Sequence, residues 1–105
     1  MSSNKIIVLN GHPGETSLSK SLCDTYAASA KAKGHAVRYH DISAMQFDMD
    51  YGQGGYKNPK PLEPDLEAFL ADLEWADHVV VATPLWWGAI PAKLKGVFDR
   101  ALLPG

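Results

Sequence analysis

One cysteine, Cys23, is all the chain has. No disulfide can close within it, so the fold must stand on packing, and a reducing compartment is expected. Basic residues are not in excess either: 10 Lys and Arg stand against 12 Asp and Glu, a formal net charge of -2. That balance lacks the basic patch expected of a nucleic-acid binder. No apolar run approaches the ~18 residues that an integral membrane segment needs. The opening MSSNK leads straight into a strand-like run without a signal-peptide core. No repeat, low-complexity tract or metal-spaced Cys/His/carboxylate cluster is visible. These gaps leave an ordinary globular chain of 105 residues, 46% hydrophobic. That is enough for one core in one domain, 1–105, and the expected location is cytoplasmic.

What is present alternates. KIIVL at 5–9 is a short apolar run rich in β-branched residues, as in a strand covered on both faces. NGHPGETS follows with turn chemistry, and Thr16 or Ser17 can cap the helix that begins there. Leu18, Leu22 and Tyr26 recur at i, i+4 and i+8, Cys23 reads as a small buried side chain, and Gly34 closes the helix. HAVRYHDI at 35–42 alternates as a strand nearer the sheet edge. Residues 43–61 show no period, a loop long enough to suggest a functional or interface role, and its YGQGGY segment suits either a linker or a ligand-facing turn. Pro64 opens a second helix with a Leu66, Phe69, Leu70 and Leu73 stripe. HVVVATP at 78–84 is the third and most apolar strand. Pro91 opens a last helix with Leu94, Val97, Phe98 and Ala101 on one face. The order β-α-β-α-β-α predicts a parallel sheet with helices on both faces.

In open parallel sheets ligands bind beyond the carboxyl ends of the strands, where strand order reverses. Two loops occupy that place, 10–18 and 84–90. The first ends at a helix N-terminus, which attracts anions. Gly11 and Gly14 allow close backbone approach, Thr16, Ser17 and Ser19 offer hydroxyls, and a protonated His12 can add a charge-assisted bond. The loop matches neither common nucleotide fingerprint. The second loop carries Trp86 and Trp87, which point opposite ways if extended, one inward and one toward a cleft; Gly88 leaves room beside them. A phosphate site next to an aromatic wall fits FMN or FAD. His35, His40 and His78 read as surface or strand-end residues, Asp99 and Arg100 as a local ion pair, and Lys93 and Lys95 as solvating the last helix.

GHPGETSLS after the first strand, the segment EWADHVVVATPLWWGAIPAKLKGVFDRALLPG, and Phe47-Asp48 resemble the flavodoxin-like NAD(P)H:quinone oxidoreductase family. Its bacterial members include ancillary proteins of glutathione-gated potassium efflux. The resemblance implies a three-layer α/β/α fold with strand order 2-1-3. It implies a noncovalent FMN or FAD, NAD(P)H as reductant, a quinone or similar acceptor, and a homodimer. By motif position His12, Ser17, Leu18 and Ser19 match residues that hold the phosphate and ribityl parts. Pro84, Leu85, Trp86, Trp87 and Gly88 match the segment along the isoalloxazine.

Members of that family continue after LLPG with two more strands and their helices, which carry the groups assigned to proton handling. The resemblance therefore covers the N-terminal part of one flavin-binding domain, and no catalytic acid or base is assigned. Three explanations stand: an excerpt of a longer protein, a natural truncation, or a sheet completed between subunits. Three functions stand with them: a flavin-dependent quinone reductase, a flavin-binding regulatory subunit, or an inactive oligomerising fragment. The third strand, an edge in this chain, has no charge, proline or bulge within its valines to protect it.

Overall fold

The computed structural model describes residues 3–49 and 61–102. YGQGGY, at 51–56, lies outside them. Three parallel strands, β1 (Lys5–Asn10), β2 (Ala36–Asp41) and β3 (His78–Ala82), form one sheet in the order β2-β1-β3. Three helices alternate with them: α1 (Leu18–Ala32), α2 (Pro64–Trp75) and α3 (Ala92–Ala101). A 3-10 turn, Ile42–Ala44, follows β2. The expected order 2-1-3 and α/β layering are both observed. β3 is two residues shorter than the sequence pattern suggests.

The apolar run of β1 follows from its place. Ile7 pairs with Arg38 on one side and Val79 on the other, and Val8 with Tyr39 and Val80. The central strand thus meets a strand on each side and helices on each face, and Ile6 to Asn10 are all buried. Successive side chains point to opposite faces. Ile7 and Leu9 join Ile42, Leu66, Phe69, Leu94 and Val97 under α2 and α3. Ile6 and Val8 pack with Cys23, Ala27 and Ala30 of α1.

α1 corrects one expectation. The stripe that packs on the sheet is Ser19, Cys23, Ala27 and Ala30, one residue later than the large apolar one. Leu18, Leu22 and Tyr26 are exposed, Leu18 at 75%. Small side chains let the helix axis approach the sheet closely, so the small stripe packs inward. Val79 and Val81 on the β3 edge are exposed as well. In register with Ile7 and Leu9, these two valines face the side of the sheet opposite α1, so the described chain leaves two apolar stretches uncovered, one along α1 and one on the β3 edge. At the helix end, the amides of Gly34 and His35 donate to the carbonyls of Lys31 and Ala30 at 3.0 and 3.1 Å, a Schellman closure.

Two polar assignments also change. Asp99 pairs with Lys95, not with Arg100. Arg100 is 2% exposed. It donates to the Asp48 carbonyl, to the Pro61 carbonyl at 3.1 Å and to Glu63 Oε1 at 2.9 Å. It thereby ties the residues before and after the 50–60 segment to α3. His40 is not a free strand-end residue. Its Nε2 lies 2.7 Å from Asp72 Oδ2 and its ring stands edge-on to Phe69. Burial pushes the Asp72 carboxyl up, but His40 and Arg38 together hold it below the usual carboxylate range. Among the described residues no helix is long and apolar enough to cross a membrane, and no His/Cys/Asp/Glu cluster could hold a metal.

Candidate functional site

The first loop is stitched to the exit of β3. The Gly11 amide donates to the Ala82 carbonyl at 2.7 Å. A Cβ at Gly11 would stand 2.7 Å from Leu94 Cδ2 and 3.0 Å from the Ala82 oxygen, so glycine alone fits. Immediately before it, Asn10 is fully buried. Its Oδ1 accepts the His12 amide at 3.1 Å and its Nδ2 donates to Asp41 Oδ1 at 3.2 Å.

His12 Nδ1 in turn accepts the Gly14 amide at 2.9 Å. That bond assigns the proton of the neutral ring to Nε2. The expectation of a charge-assisted bond from protonated His12 is thereby altered, because a proton on Nδ1 would break the turn. Gly14 has no Cβ to crowd that ring, from which it would stand 3.0 and 3.1 Å away.

Ser17, not Thr16, caps α1. Its backbone is extended and its Oγ accepts the Lys20 amide at 3.0 Å. The amides of Leu18 and Ser19 lie in the first turn, where a helix has no internal acceptors. The first turn of α1 contains no acidic residue. Nothing in that turn therefore offsets the positive end of the helix dipole.

The second loop is a tight hairpin, and the extended arrangement expected for the two tryptophans is not found. Trp86 N donates to Ala89 O at 2.8 Å and Ala89 N to Trp86 O at 3.0 Å. Trp87 and Gly88 between them have φ of +54° and +74°. Positive φ at both central residues is the type I′ geometry that fits a two-residue hairpin. Neither indole is buried. Trp86 is half-exposed and meets the His12 ring edge-on, centroids 5.4 Å apart and planes at 85°. Trp87 is 104% exposed at the tip. Because the turn bonds occupy the amides of Trp86 and Ala89, those of Trp87 and Gly88 remain outside them.

An open groove of about 700 Å³ runs between the two loops. His12, Ser17, Leu18 and Ser19 border it on one side, and Val81, Thr83 and Pro84 on the other. Five of the nine expected site residues thus share one space. Trp86 is not among the residues that line it and meets only the His12 ring at its border, while Leu85, Trp87 and Gly88 lie further along the same loop. Asn10 went unnoticed in the sequence; its signal was a polar residue closing an otherwise apolar strand. Cys23 does not belong to the site: burial pushes its thiol up, away from reactive thiolate chemistry.

The chain matches the family described as flavodoxin-like fold over residues 4–105. It is 30% identical over 119 residues to the ribosyldihydronicotinamide dehydrogenase-like protein traD of Penicillium crustosum, across 96% of this chain and 45% of that one. It is 29% identical over 112 residues to the FMN-dependent NADH:quinone oxidoreductase of Shewanella amazonensis, across 97% of this chain and 57% of that one. The solved NAD(P)H:quinone oxidoreductase from Methanothermobacter marburgensis superposes with a TM-score of 0.79 at 27% identity, covering 97% of this chain and 55% of its own. The chain spans about half the length of the curated relatives it matches. On fold, strand order and sequence together, the chain belongs to the family described as flavodoxin-like fold.

Proposed function

We propose that residues 1–105 form the N-terminal part of one flavodoxin-like domain that binds FMN or FAD for an NAD(P)H:quinone oxidoreductase. The observation that carries this reading is the shared groove, which sets the capped N-terminus of α1 beside the exit of β3, with the His12–Trp86 contact joining the two loops. Its size suits a ligand of nucleotide dimensions. A bound flavin supplies two-electron hydride chemistry between NAD(P)H and a quinone.

The chain's own contributions follow from the geometry. The Leu18 and Ser19 amides and the Ser17 hydroxyl donate to a phosphate. Nε2 of His12 donates beside them. Trp86 and Trp87 supply aromatic surface, and the Trp87 and Gly88 amides offer donors to the polar edge of a flat ring. The name of the Shewanella relative, which specifies FMN, supports the choice of flavin. A single buried thiol is in keeping with a reducing, cytoplasmic setting. The uncovered edge of β3 is in keeping with a homodimer, which sedimentation equilibrium tests; a monomer at all concentrations refutes it.

The decisive test compares FMN with riboflavin, which differ by the phosphate. FMN should bind at least about tenfold more tightly, the factor that corresponds to about 1.4 kcal/mol. Equal affinities refute the phosphate subsite, and failure of both to bind refutes the flavin reading. A second reading is a flavin-binding regulatory subunit. Bound flavin that NAD(P)H bleaches and a quinone reoxidises selects the reductase; bound flavin that NAD(P)H leaves unchanged selects the regulatory role.

A further inference from the structure

We propose that Asn10 is a positioning residue, one that holds His12 in place and through it the phosphate side of the groove. This inference rests on the flavin reading for its consequence, although the geometry that motivates it does not. Asn10 closes β1 as a fully buried carboxamide among apolar neighbours. Such a group is costly unless both its ends are bonded. Both are, and each bond has a distinct partner. Oδ1 accepts the amide of His12 at 3.1 Å, and Nδ2 donates to Asp41 Oδ1 at 3.2 Å. Flipping the carboxamide would set donor against donor and acceptor against acceptor, so its orientation is determined by chemistry.

The consequence runs outward in three steps. Asp41 also accepts the Ser43 amide at 2.9 Å, so it is anchored at the end of β2. Asn10 transmits that anchor across the sheet to the backbone of His12. With the backbone held, the His12 ring accepts the Gly14 amide at 2.9 Å and meets Trp86 edge-on. Asn10 touches neither the groove nor the hairpin, yet it orients the ring that joins them. Without it, the 11–16 loop would keep Gly11 stitched to Ala82 but lose the bond that aims His12.

Amide hydrogen exchange separates this role from a merely structural one. In the full chain, Asn10→Ala should speed exchange at the Gly14 amide by about tenfold or more, while the Ile7 and Val8 amides keep their protection. A general loss of stability would speed all three together. Asn10→Asp is the second variant: it nearly conserves volume, keeps an acceptor for His12, and sets a carboxylate against Asp41. It should likewise unprotect Gly14 selectively, and it decides the matter if Asn10→Ala does not fold. In flavin titrations both variants should weaken FMN about tenfold and leave riboflavin unchanged. Unchanged Gly14 exchange, or exchange that rises equally across β1, overturns the role of Asn10. If the unsubstituted chain binds no FMN, the flavin reading fails, and Gly14 exchange still decides whether Asn10 positions His12.

Discussion

Replacing Trp87 with asparagine should make the chain more stable and a poorer flavin binder. Trp87 sits at φ +54°. The left-handed region costs a side-chain-bearing residue about 1–2 kcal/mol. Asparagine tolerates that region, and Asn-Gly is the preferred pair for a type I′ turn. Truncating the indole removes no packing, because Trp87 is 104% exposed. The expected gain is about 1 kcal/mol, which raises Tm by about 4–8 °C in a domain of this size. Stacking of a flat heterocycle on an aromatic side chain is worth about 1–3 kcal/mol. FMN affinity should therefore fall by about fivefold to a hundredfold. Differential scanning calorimetry of the ligand-free chain and FMN fluorescence titration read the two effects separately. A lower Tm would show that the indole packs in the folded chain and that the turn stores no strain. A higher Tm with unchanged FMN affinity would show that Trp87 does not face the flavin. Both effects together would identify strain retained at a functional position.

Four further outcomes follow from the same geometry. Gly11→Ala should cost about 1–3 kcal/mol, measured by urea unfolding, because its Cβ would meet the immobile Ala82 carbonyl at 3.0 Å. Leu22→Ser should cost less than about 0.5 kcal/mol, as an exposed position does, whereas Ala27→Ser on the packed stripe should cost visibly more in the same urea series. The Glu63 carboxyl is held below its usual range, first by the Asp48 amide and then by Arg100. A lowered folded value means that its stabilisation is present above the ordinary value of about 4.3 and is lost as pH falls through the folded one. The urea midpoint of the parent should drop more steeply below about pH 5 than that of Glu63→Gln, and parallel curves would refute the coupling. Cys23 should stay unmodified by a thiol reagent at pH 8 until the chain unfolds, since it is buried and its thiol is pushed up.

The parts of this molecule that were readable in one dimension are those set by local rules. Period and β-branching announced the three strands, and their alternation with helices implied the parallel sheet. The cap at Ser17, the closure at Gly34 and the N1 proline of α2 each follow from backbone chemistry within a few residues. What escaped depends on partners far along the chain. Asn10 meets Asp41 31 positions away, and Arg100 meets Glu63 37 positions away. No window of sequence shows either pair. The tryptophans misled for a related reason: an extended backbone was assumed, whereas the Trp86–Ala89 bonds turn it through φ values that indole side chains rarely accept.

α1 shows a subtler limit. Two apolar stripes lie one residue apart, about 100° around the helix axis. Periodicity identifies both and cannot say which one the sheet takes. The sheet takes the smaller, and the larger stays uncovered. Leu18 and Leu22 of that open stripe also border the groove. The open stripe and the groove are therefore continuous. A polypeptide that covered the apolar face, whether a further segment or a second copy, would remove water from one wall of the groove. Electrostatic contacts strengthen as water leaves, so the Ser17–Ser19 donors would grip an anion more strongly in the covered state than in the chain alone. Cover and cofactor would then stabilise each other, each raising the affinity for the other by the same factor.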